Sequence, residues 1–69
     1  MDPTTPTYPH VTVQLTGQDG NAFMIIGLVA KALRKQVSPE AAKQFTNDAM
    51  NSGSYDDLLR LAMGTVNVT

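Results

Sequence analysis

A small α+β domain, ordered strand–helix–helix–helix–strand, is what this 69-residue sequence predicts. Three observations carry it. Val11-Thr12-Val13-Gln14-Leu15 and Thr65-Val66-Asn67-Val68-Thr69 alternate apolar and polar residues, the period of a half-buried strand. Between them the apolar residues recur at helical spacing. Two serine-led starts, Ser38-Pro39-Glu40 and Ser54-Tyr55-Asp56-Asp57, divide that span into three helices. Residues 1–9 read as a flexible Pro/Thr-rich tail, and residues 10–69 as a single β-α-α-α-β domain.

The tail carries three of the four prolines and no apolar periodicity. Tyr8 is expected to cover the edge of the core where the strand begins. The first strand, His10 to Thr16, places Val11, Val13 and Leu15 on its inner face and Thr12, Gln14 and Thr16 on the other. Thr16-Gly17-Gln18-Asp19-Gly20-Asn21 then leads into a helix. Gly17 and Gly20 permit backbone conformations closed to other residues. Asn21 is the expected N-cap, its side-chain oxygen accepting from a backbone N–H two or three residues on.

Along the first helix, Phe23, Ile26, Ala30, Leu33 and Val37 form the expected inner stripe, with Val29 at its margin. The opposite face carries Lys31 and Lys35, as a solvated face would, together with apolar Met24 and Leu28. Those two read either as ordinary exposed apolar residues or as a subunit or partner contact. The second helix has a serine cap, proline at its first position and an acid in its first turn, and runs to about Met50. It is expected to bury Ala41, Ala42, Phe45 and Ala49, and Asn51-Ser52-Gly53 closes it. The third helix starts at Tyr55 with a near capping box. Tyr55, Leu58, Leu59 and Ala62 make its expected inner face, with Leu61 flanking and Gly64 just past its end.

Composition narrows the functions. A formal net charge of -1 argues against a nucleic-acid binder acting through bulk electrostatics. With no cysteine and one histidine, His10, neither a disulfide nor a zinc site is expected, and no cofactor is implied. No stretch approaches the roughly 18 apolar residues of a membrane span, and residues 1–6 lack signal-peptide features. A chain this short usually draws only about 3–5 kcal/mol from its own core, so a homo-oligomer is expected. Catalysis has little support: His10 has no evident carboxylate partner, and Asp56 and Asp57 are explained by the helix dipole.

If successive helices run antiparallel, the two strands are parallel and joined by a right-handed crossover. The loop at 17–21 and the start of the third helix, Ser54-Tyr55, would then meet at the C-terminal end of the first strand, where parallel sheets bind ligands. The glycine-bracketed loop lacks the residues of a P-loop and the three-glycine spacing of a dinucleotide fold. It is either a phosphate site at a helix N-terminus or a turn with a cap. Asp19 would suit a ribose hydroxyl, and Gln18 and Asn21 offer both donors and acceptors. Arg34, with Lys31 and Lys35, complements the C-terminal end of the first helix. It lies about 13 residues, or roughly 20 Å, from Asn21, so it can reach the loop only from a neighbouring subunit.

The chain resembles a group of small phage and prophage proteins. The resemblance runs through Val11-Thr12-Val13-Gln14-Leu15-Thr16-Gly17-Gln18-Asp19-Gly20-Asn21-Ala22-Phe23, then Ala32-Leu33-Arg34-Lys35, then Ser52-Gly53-Ser54-Tyr55-Asp56-Asp57-Leu58-Leu59. This chain departs from the group at Leu28, where a charged residue looks usual. In size and expected oligomerisation it is similar to the phage anti-defence proteins that act as sponges for host nucleotide signals. The analogy implies a non-enzymatic homo-oligomer in the host cytoplasm that binds an ADP-ribose-type molecule. The ligand residues would be Gly17, Gln18, Asp19, Gly20, Asn21 and Tyr55, with Arg34 supplied across an interface. The alternative is inhibition of a host protein through the Met24/Leu28 face.

Overall fold

The structure, a computed structural model, describes residues 6–15 and 21–69. Five elements follow in order: β1 (Tyr8–Val13), α1 (Ala22–Gln36), α2 (Pro39–Met50), α3 (Tyr55–Thr65) and β2 (Val66–Val68). The predicted β-α-α-α-β order is the observed one, and the two strands pair in parallel within the chain. Parallel neighbours cannot be joined by a tight turn, and the three helices supply the long connection that they need.

Thr12 pairs with Asn67 and Val13 with Val68, while Tyr8 pairs with Val66. The ladder is irregular between Tyr8 and Thr12, a stretch that contains Pro9. Proline has no N–H to give, so it belongs at such an interruption. The strand thus starts at Tyr8, inside the predicted tail. Thr7 is held too, its N–H and hydroxyl both donating to the Gly64 carbonyl, at 2.9 and 3.2 Å. At the other end Thr69 N donates to Val13 O, and Leu15 N to Thr69 O, both at 2.9 Å.

Alternation decides the sheet's faces. Val11, Val13 and Val66 point into the core, whereas Thr12 and Asn67 are exposed and bonded to each other at 3.4 Å. Tyr8 is half-buried against the core edge, with its ring edge-on to exposed His10.

In α1 the inner line is Ile25, Val29 and Leu33. The predicted stripe through Phe23, Ile26, Ala30, Leu33 and Val37 is corrected by a rotation of about 80° around the helix axis, taking 3.6 residues per turn. Ile26, Ala30 and Val37 flank the core, and Phe23 lies 76% exposed. The physical reason is that Ala22 to Leu33 holds a single charged residue, Lys31, so apolar spacing alone leaves the buried face undetermined.

α2 follows from its cap. Ser38 is extended, its hydroxyl accepts from Ala41 N at 3.1 Å, and Pro39 opens the helix. Phe45 is buried between Ala42 and Ala49 on one face, and Ala41 flanks them. The small alanines let α1 approach closely. The chain then stops turning as Ser52 donates from both N–H and hydroxyl to Ala49 O.

α3 begins where Ser54 Oγ accepts from Asp57 N at 3.2 Å. Leu58 and Ala62 are buried, and Leu59 and Leu61 flank them. Two expectations change here. Tyr55, read as an inner residue, is 42% exposed, and its first-turn neighbours Asp56 and Asp57 are exposed with it. Gly64, read as the residue past the helix end, lies inside α3, which runs into β2 without a loop. The hydrogen bonds account for it: Thr65 Oγ1 donates to Leu61 O, Thr7 caps Gly64 O, and no left-handed residue is required.

Candidate functional site

The first turns of α1 and α3 open onto one cleft of about 270 Å³. Ala22, Phe23 and Ile26 line it from α1, Tyr55 and Leu58 from α3, and Ala49 and Met50 from the end of α2. Ser52, Gly53 and Ser54 form the connecting rim. The expected meeting of two helix starts is therefore present, and both ends are positioned by their caps. Asn21 Oδ1 accepts from Phe23 N at 2.8 Å and its carbonyl from Ile25 N at 3.0 Å. Ser54 does the same for Asp57 and Leu58.

These bonds also limit the chemistry. A cap that satisfies a first-turn amide withdraws it from an anion. Each cap takes one such amide, and the side chains around them form an apolar wall with a hydroxyl rim. Phe23, Met50 and Tyr55 are all large and exposed, at 76%, 66% and 42%. Ser52 Oγ donates to Ala49 O at 2.6 Å, whereas Ser54 Oγ accepts and keeps its own proton to donate. Among the described residues Tyr55 is the only titratable side chain in the lining. Such a surface suits a flat, weakly polar group better than a naked phosphate.

Gly17, Gln18, Asp19 and Gly20 lie outside the described residues, and Asn21 is exposed beside the cleft as the cap of α1. Arg34 is elsewhere, in a groove between α1 and α2 of about 380 Å³ with Pro39, Lys43, Thr46 and Asn47. Within one chain, Tyr55 and Arg34 line different hollows. Met24 is 39% exposed, and Leu28 is half-buried against the core, so the two make a smaller apolar face than their spacing suggested. Among the described residues no group of three or more His, Cys, Asp or Glu side chains converges as metal ligands, and no helix is long and apolar enough to cross a membrane.

Sequence reasoning missed Phe23 and Met50 as cleft residues. Helical spacing puts Phe23 in the core and Met50 only at the end of the second helix, whereas both line the cleft. The available signal was the first helix's charged arc. Lys31, Arg34 and Lys35 project opposite the Ile25–Val29–Leu33 line, which leaves Phe23 outside the core.

No family model, curated protein or solved structure matches the chain.

Proposed function

We propose that the protein is a non-enzymatic phage anti-defence protein that binds and sequesters a nucleotide-derived host signal of the ADP-ribose type, acting as a homo-oligomer in the host cytoplasm. The observation that carries this reading is the cleft shared by the starts of α1 and α3, with two aromatic side chains in its lining. The start of α1, which has no acid in its first turn, favours a ligand carrying negative charge nearby. Aromatic side chains favour one carrying a base. The resemblance of residues 11–23 to small phage proteins supports the setting.

In this reading Arg34 serves a neighbouring subunit's ligand; in its own chain it lines a separate groove. Isothermal calorimetry against ADP-ribose derivatives and cyclic nucleotides tests the reading. Saturable heat from an ADP-ribose-type ligand is the expected result; silence from the whole panel overturns it.

A second reading, direct inhibition of a host protein through Met24 and Leu28, is favoured by the exposure of Met24. Under it, Leu28→Arg abolishes capture of a host protein from lysate, and intact capture removes the reading. Because Leu28 packs against the core, the variant's fold is checked by circular dichroism.

A further inference from the structure

We propose that the cleft between α1 and α3 takes the planar base of a nucleotide, a neutral purine ring, with Phe23 and Tyr55 as its stacking surfaces and Met50 closing the side; this rests on the nucleotide reading above and names the part of the ligand the cleft holds.

Size decides first. At about 270 Å³ the cleft falls just under the ~300–1,000 Å³ of pockets that enclose a drug-sized molecule. It fits one ring system, with the rest of the ligand outside. Area decides between a ring and a second protein. At ~200 Å² per large side chain, the exposed parts of Phe23, Met50 and Tyr55 offer roughly 370 Å². A stable interface needs about 800 Å² from each partner. The patch alone is too small to make a stable dimer seam and large enough for both faces of a base.

Chemistry agrees with size. Every base has a π-face, so aromatic stacking does not need charge, and among the described residues the cleft lining supplies none. The Met50 thioether is a favourable neighbour for an aromatic ring. Ser54 keeps a hydroxyl proton for a ring nitrogen. Phe23 stands three-quarters exposed in the first turn of α1, where the core makes no use of most of its ring.

The test is a titration of the full chain with adenosine, followed by ¹H–¹⁵N chemical shifts, with ribose 5-phosphate and ADP-ribose as parallel arms. Adenosine should shift the amides of Phe23, Met50 and Tyr55 and leave Lys43 and Thr46 in the α1–α2 groove unmoved. Phe23→Ala and Tyr55→Ala, both at exposed positions, should each weaken adenosine and ADP-ribose about tenfold while ribose 5-phosphate is unaffected. Millimolar adenosine that leaves the cleft unmoved overturns the proposal, as does Phe23→Ala binding as tightly as the parent. If ADP-ribose binds without loss in these variants, the base lies elsewhere and the nucleotide reading stands. If adenosine shifts the cleft but neither phosphate-bearing ligand binds, the base cleft stands and the ADP-ribose reading falls. Cleft shifts that follow protein concentration without ligand would assign the patch to self-association instead.

Discussion

Truncating Ile25 and Phe23 separately, each to alanine, tests which way α1 is turned. Ile25 is 3% exposed and Phe23 is 76% exposed. Ile25→Ala removes three buried carbons, worth about 2.4 kcal/mol at ~0.8 kcal/mol each. The cavity left between α1 and its neighbours raises the loss to about 3 kcal/mol. Phe23 buries only a quarter of its surface, roughly 50 Å², worth at most ~1.2 kcal/mol. Alanine's better helix propensity returns about 0.5 kcal/mol of that. The expected losses are therefore about 3 and under 1 kcal/mol. Urea denaturation followed by circular dichroism reads both. For a domain of this size the first loss lowers Tm by about 12–24 °C, at 4–8 °C per kcal/mol. With only about 3–5 kcal/mol from its own core, the Ile25 variant should sit near its unfolding midpoint at 25 °C unless an oligomer supports it. Equal losses at the two positions would mean that α1 presents the Phe23–Ile26–Ala30 stripe after all, and the exposed wall of the cleft would be gone.

Further outcomes are expected. Gly27 sits inside α1, and beyond its chain neighbours and the helix's own backbone no atom of the described residues lies within 4 Å of where a Cβ would be, so Gly27→Ala should raise stability by about 0.8–1 kcal/mol in thermal melts. Ser38→Ala should cost about 1 kcal/mol in the same melts by freeing the Ala41 amide that its hydroxyl caps. Asn21→Ala should cost a similar ~1 kcal/mol, whereas Asn21→Asp keeps the acceptor for Phe23 N and should not, so ligand effects are best measured with the second. Size-exclusion chromatography with light scattering should give a multiple of the 7.4 kDa chain mass; a monomer at working concentration would contradict the homo-oligomer.

The parts of the fold written in the sequence are those set by local rules. Ser38-Pro39 and Ser54 specify helix starts through side-chain acceptors, and α2 and α3 begin where those residues place them. Alternation in residues 11–15 and 65–69 fixes which strand residues face inward, since the side-chain period is two. The parallel pairing followed from the number of short connections. What was not legible depended on contacts distant in sequence. α1 is apolar around most of its circumference, so its buried face is chosen by α2 and the sheet. Gly64 reads as a helix stop until Thr7 arrives to cap its carbonyl from far along the chain. The cleft was half legible: the meeting of two helix starts follows from the element order, but its aromatic wall depends on the rotation of α1.

Intermolecular nuclear Overhauser effects between bound ADP-ribose and the protein test the central claim most directly. Contacts from the adenine protons to the Phe23 and Tyr55 rings and the Met50 methyl are the predicted result. Contacts from the adenine protons to Ala30 and Thr46 in the Arg34 groove, or no bound ligand to observe, would contradict it.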